Sequence, residues 1–121
     1  MGDSDFHKKL KLYSHEFVMY VYDISEHFPK SELYGTVSQL RRASVSIVLN
    51  YVEGYARFKP KVKLNFFEIA YGSAKESKYL IYLAFKRNWI SKNEYKLGLE
   101  KMEEISAMLW SIITGMQKND A

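Results

Sequence analysis

Cysteine is absent from the 121-residue chain. Its absence removes disulfide scaffolds, thiolate metal sites, thiol nucleophiles and iron–sulfur ligation together, and it fits a reducing compartment, so a cytoplasmic location is expected. Proline occurs twice and glycine six times, too seldom for a collagen-like or linker-dominated chain. Long apolar runs are also missing: the longest, Tyr79 to Phe85, falls far short of the roughly 18 residues that a membrane span requires. The opening residues, Met1 to Asp5, are acidic where a secretory signal would be basic, so neither membrane nor export is expected. What the chain has in quantity is apolar side chains, 47%, many of them aromatic. With 26% charged residues it should fold, as one domain over residues 1–121 with a core of its own.

Helix is the only period that fits the apolar spacing. Phe6, Leu10, Tyr13, Phe17, Tyr20 and Ile24 recur at steps of four and three and predict a first helix over about 5–27, closed by Pro29. A second, over 31–56, opens with Ser31 as N-cap and places Leu33, Val37, Leu40, Ser44, Ile47, Tyr51 and Gly54 inward. A third, over 60–87, carries Pro60 in its first turn and keeps the same beat through Val62, Phe66, Ile69, Ser73, Glu76, Leu80 and Leu83. Ser91 and Glu94 form a capping-box pattern before a fourth, over 91–117, with Tyr95, Met102, Leu109 and Met116 on one core row and Gly98, Ile105 and Ile112 on the other. Connections of only a few residues make sequential helices antiparallel neighbours, so the predicted fold is all-α, an up-down-up-down four-helix bundle.

Helices two and three carry more apolar residues than one stripe needs. Off the core beat lie Tyr34, Val45, Val48, Val52 and Tyr55 on helix two and Phe67, Tyr71, Ala74, Ile81, Tyr82 and Phe85 on helix three. Either these widen the core stripe, or a second copy of the chain covers them; so many aromatics are hard to hide in one small bundle, which favours a homo-oligomer with Val48, Val52 and Tyr82 at its interface. Small residues such as Gly35, Ser46, Gly72 and Ser73 would let the copies approach closely.

The segment from Phe28 to Arg57, FPKSELYGTVSQLRRASVSIVLNYVEGYAR, resembles a known family. Its Pro29-Lys30-Ser31-Glu32, Tyr34-Gly35, Gln39-Leu40-Arg41-Arg42-Ala43, Ser46-Ile47, Asn50 and Glu53-Gly54-Tyr55 with Arg57, together with Gly72-Ser73 and Glu76, are similar to the four-helix-bundle proteins encoded in intervening sequences of bacterial 23S ribosomal RNA genes, the S23 type. Val48 stands where that family usually has proline, and Val52 where it has a small residue. The resemblance implies a ring-like homo-oligomer, a pentamer, without enzymatic activity. It also implies a likeness in fold to the accessory variability proteins of diversity-generating retroelements, which bind nucleic acid and a reverse transcriptase.

Among polar residues, Glu76 falls on the predicted core beat, where a carboxylate is costly unless paired. An arginine of helix two, Arg41 or Arg42, supplies a forked partner, with Asn50 and Glu53 two to three turns along for further hydrogen bonds. The expectation is a structural network of Arg41, Arg42, Asn50, Glu53 and Glu76, rather than acid/base chemistry, because no nucleophile or cleft-forming loop accompanies it. His7, His15 and His27 lack ligand spacing, so no metal and no cofactor is expected.

Charge is segregated along the chain. Residues 1–28 sum to −2, 29–60 to +3, 61–90 to +4 and 91–121 to −1. Within the basic middle, Arg57, Lys59, Lys61 and Lys63 cluster between helices two and three; Tyr55 and Phe58 beside them are expected to seal the helical hairpin, the alternative being to stack on bases. Such a stretch is either a solvated turn or a phosphate-binding patch that an oligomer repeats on every subunit. Electrostatic binding of RNA or DNA without base-specific readout is the leading expectation. The alternatives are an assembly scaffold that docks an acidic protein partner and, more remotely, an enzyme built on Glu76 and Glu53.

Overall fold

The structure, a computed structural model, describes the backbone of residues 2–120 and the side chains of residues 5–118. Four long helices, α1 (Gly2–Ser25), α2 (Ser38–Ala56), α3 (Pro60–Lys86) and α4 (Lys92–Asp120), account for most of it. No strand occurs among the described residues. None of the helices is long and apolar enough to cross a membrane.

The helix boundaries have local causes. The α1 helix ends at Ser25, followed by a turn in which the amides of His27 and Phe28 donate to the carbonyls of Ile24 and Ser25; Pro29 then takes an extended conformation (φ −56°, ψ 144°). Pro60 sits in the first turn of α3, where its missing N–H costs nothing. At the other end of α3, Asn88 adopts a left-handed conformation (φ 62°). The amide of Trp89 then reaches the carbonyl of Ala84 at 2.9 Å, and that of Asn88 the carbonyl of Phe85 at 3.0 Å, the paired closure that satisfies a helix's last carbonyls. The capping box of α4 is formed in both directions: the Ser91 amide donates to Glu94 Oε1 at 2.8 Å and the Glu94 amide to Ser91 Oγ at 3.0 Å.

The start of the second helix departs from the expectation. Lys30–Glu32 form a 3-10 turn, Leu33–Val37 a π turn kinked at Gly35 (φ −112°, ψ −109°), and the regular helix begins only at Ser38. Glu32, not Ser31, is the cap: its carboxylate accepts the Thr36 amide at 3.2 Å and the Thr36 hydroxyl at 2.5 Å. A Cβ on residue 35 would lie 3.2 Å from Glu32 Oε1, so glycine leaves room for the carboxylate to swing back onto Thr36.

The core draws on all four helices. Leu10, Phe17, Val21 and Ile24 of α1 meet Leu40, Ile47 and Tyr51 of α2, Phe67, Ala70, Ala74, Ile81 and Ala84 of α3, and Met102, Ile105, Leu109 and Ile113 of α4. Each large aliphatic or aromatic side chain buried in this way stabilises the fold by about 1.5–3 kcal/mol before the entropy of ordering is counted. The buried rows of α2 and α4 follow the predicted beat closely. That of α3 does not.

In α3 the buried residues are Phe67, Ala70, Ala74, Ser77, Leu80, Ile81 and Ala84. The inward face is therefore turned by one residue, about 100°, from the predicted stripe. Phe67, Ala74 and Ile81, which the sequence assigned to a surplus face, are core. Val62, Ile69 and Glu76 are exposed instead. An apolar surplus persists with a different membership: Leu49 and Val52 on α2, and Val62, Ile69, Tyr79 and Tyr82 on α3, are exposed, while Val48 is only half-buried. Ser46 and Ser73, expected to ease the approach of another copy, instead join α2 to α3 within the chain, with hydroxyls 2.8 Å apart.

Candidate nucleic-acid interface

The connection between α2 and α3 is short and held at both ends. The Arg57 amide donates to the carbonyl of Gly54 at 3.3 Å, and the amides of Val62 and Lys63 donate to that of Lys59 at 3.0 Å. Arg57 and Lys59 are extended (φ −82°, ψ 156° and φ −77°, ψ 126°), as the residue before Pro60 must be.

The four cations predicted to bind phosphate divide into two kinds. Arg57 pairs with Glu53 one turn back at 2.7 Å, and its guanidinium lies 5.4 Å from the centre of the Phe66 ring. Lys63 turns back to cap α2: its ammonium donates to the carbonyl oxygens of Tyr55 at 2.9 Å and Gly54 at 3.3 Å, where the helix leaves acceptors unpaired and the dipole favours a cation. Lys59 and Lys61 are exposed, and among the described residues neither takes part in an ion pair. Phe58, between Arg57 and Lys59, is 95% exposed and does not seal the hairpin.

The topology adds cations that the charge count along the chain concealed. His7 near the start of α1 hydrogen-bonds the Tyr51 hydroxyl and packs edge-on to the Tyr55 ring at 4.8 Å. Burial, with Tyr55 adding to it, pushes the Tyr51 hydroxyl above the ordinary phenol range, so it stays neutral. These contacts bring the start of α1 to the end of α2, so exposed Lys8, Lys9 and Lys11 share the end of the molecule that carries Arg57 to Lys63. A charge tally by helix end would have found them; a tally by chain segment hid them behind neighbouring acids.

The predicted polar network is not one network. Arg41 Nε donates to Ser25 Oγ at 2.9 Å, and its guanidinium lies 4.6 Å from the centre of the Tyr22 ring, tying α2 to the end of α1. Asn50 Nδ2 donates to the carbonyl and the hydroxyl of Ser46, both at 2.9 Å, and so supports the Ser46–Ser73 link. Glu53 is engaged by Arg57. Arg42 and Glu76 are exposed, and among the described residues neither forms an ion pair. The turn of α3 is the cause, since it moves Glu76 off the inward face where a buried partner was required. Among the described residues, no group of histidine, aspartate and glutamate side chains converges as metal ligands do.

Residues 8–111, from α1 through most of α4 and including the whole basic connection, match the family described as 23S rRNA-intervening sequence protein. The chain belongs to that family. A solved structure from Bacteroides thetaiotaomicron, described as a protein with unknown function from the S23 ribosomal protein family, superposes with a TM-score of 0.79 at 24% identity, covering 86% of this chain and 97% of its own. Likeness at that identity shows a shared fold. No curated protein matches the chain.

Proposed function

We propose that this intervening-sequence protein is a non-enzymatic, homo-oligomeric helical protein of the cytoplasm that binds RNA or DNA electrostatically through its α2–α3 hairpin. In this reading the protomer is an antiparallel up-down-up-down bundle. Copies close into a ring, with five subunits favoured by the resemblance to the S23 type, through the apolar residues left exposed on α2 and α3. The likeness to accessory variability proteins, and a reverse transcriptase as a further partner, belongs to the same proposal.

The observation that carries it is the pair Lys59 and Lys61, exposed and without an acidic partner among the described residues, at an end that also holds Lys8, Lys9 and Lys11. A ring repeats that patch on every subunit, and multivalent phosphate contacts raise affinity without any new contact type. Arg57 and Lys63 support the hairpin and add charge from behind. A non-enzymatic role is supported by the dispersal of the polar residues singled out in the sequence: Arg41 ties α2 to α1, Asn50 supports the Ser46–Ser73 link, Glu53 pairs with Arg57, and Arg42 and Glu76 are exposed.

Fluorescence anisotropy with labelled RNA and DNA at low and moderate salt tests the proposal. Binding should weaken as salt rises, with a slope of about 0.9 per neutralised phosphate on duplex DNA and about 0.7 on single strands, and the Lys59→Ala/Lys61→Ala double variant should flatten it. No binding to any nucleic acid at low salt would leave the scaffold for an acidic protein partner as the better reading. Tight binding that survives high salt would point to base-specific contacts instead.

A further inference from the structure

Charge neutralisation alone has no use for Phe58. The ring is 95% exposed at the tip of the α2–α3 connection, in a segment tied down by backbone hydrogen bonds on both sides and stiffened by Pro60. Holding a large apolar side chain in water forgoes the free energy that burial would provide. The ring does not stand alone: Arg57, Phe58, Lys59 and Val62 line one shallow cleft. Its wall is aromatic and aliphatic, and its charged members are both cationic.

The ligand that fits such a cleft offers a flat apolar face and negative charge together. Double-stranded nucleic acid offers the charge, but its base faces are stacked on one another inside the helix. A single strand offers both, since unstacked bases are free to lie on an aromatic ring while the backbone runs past the lysines. Resting on the nucleic-acid reading above, we infer that the hairpin tip is a single-strand site in which a base stacks on Phe58 and flanking phosphates meet Lys59 and Lys61. Every base has such a face, so the site is sequence-tolerant. The preset backbone also lowers the ordering cost of presenting the ring.

The test compares a short thymidine homopolymer with a DNA hairpin duplex of equal phosphate count, by fluorescence anisotropy at one salt concentration. Wild type is expected to bind the single strand more tightly. Phe58→Ala is expected to weaken single-strand binding about fivefold or more while leaving duplex affinity and the salt slope unchanged. Phe58→Trp should retain the preference, and Phe58→Leu, apolar without a π face, should lose it. Equal losses on both probes, no loss on either, or full rescue by leucine would overturn the stacking site. A fall in particle mass of Phe58→Ala by light scattering would also overturn it, by placing the ring between subunits. Salt-dependent binding that requires Lys59 and Lys61 but ignores residue 58 would remove the stacking site and leave the electrostatic function standing. Absence of binding to both probes by wild type would overturn the two together.

Discussion

The ring of Tyr20 in α1 occupies the space that a side chain at Gly98 of α4 would need. A Cβ there would fall within 3 Å of the phenol carbons, so the missing side chain lets the Tyr20 hydroxyl reach over α4 and donate to the carbonyl of Glu94 at 2.6 Å. Burial raises the hydroxyl above the ordinary phenol range, and the charge of Glu94 adds to the effect, so the group remains a donor. Glycine inside a helix costs about 1 kcal/mol relative to alanine; here the cost is offset by the contact between α1 and α4.

Gly98→Ala is therefore expected to destabilise the protein by about 2–4 kcal/mol, the sum of overpacking and a displaced buried donor less the gain in helix propensity. Gly115→Ala serves as the matched control in the same helix, since nothing lies within 4 Å of a Cβ built there. Thermal melts should show a clear fall for position 98 and a small rise for position 115.

Glu32 links stability to pH. Its hydrogen bonds from the Thr36 side chain and then the Thr36 amide hold its carboxyl below the ordinary value of 4.5. With the folded value depressed, the contribution of Glu32 is present above the unfolded value and disappears as pH falls through the folded one. Wild type should therefore be more stable than Glu32→Gln at neutral pH, and the gap should close below about pH 4.5. Melting curves across the acidic range would contradict this if the gap widened with falling pH.

Ser14 is buried in α1, and its hydroxyl has no hydrogen-bond partner among the described residues. Ser14→Ala removes an unsatisfied group and is expected to leave stability unchanged or raise it by up to about 1–2 kcal/mol. Ser44→Ala, which deletes a hydroxyl bonded to the Arg41 carbonyl at 2.9 Å, should instead cost about 0.5–1.5 kcal/mol. Chemical denaturation of the two variants separates the cases.

Self-association through α2 and α3 is tested at Leu49 and Ile69, both exposed. Leu49→Lys and Ile69→Lys should lower the particle mass in light scattering with little change in helical circular dichroism, whereas Leu97→Lys, at an exposed position on α4, should not. Val48 is a poorer probe because it is half-buried in the protomer. A monomeric mass for wild type at micromolar concentration would end the oligomeric reading.

Many elements whose signals lie within about four residues were legible in the sequence, though the Glu32 cap on Thr36 was not. The Ser91–Glu94 box, the place of Pro60, and the inward rows Leu40, Ser44, Ile47, Tyr51 on α2 and Met102, Ile105, Leu109 on α4 all emerge from local spacing, because a helix repeats every 3.6 residues and its caps are short-range hydrogen bonds. Three features required the tertiary structure. The face that α3 buries is the first: it is apolar nearly all round, so its period selects no stripe, and packing against α2 and α4 turned Phe67 and Ile81 inward and Glu76 outward. The second is which cations remain available: Lys63 finds the carbonyl groups of α2 only once the hairpin closes, whereas the pairing of Arg57 with Glu53, one turn back, is local. The last is the gathering of Lys8, Lys9 and Lys11 with Lys59 and Lys61. Charge acts through space, and residues some fifty positions apart come to the same end of the molecule only when His7 meets Tyr51 and Tyr55.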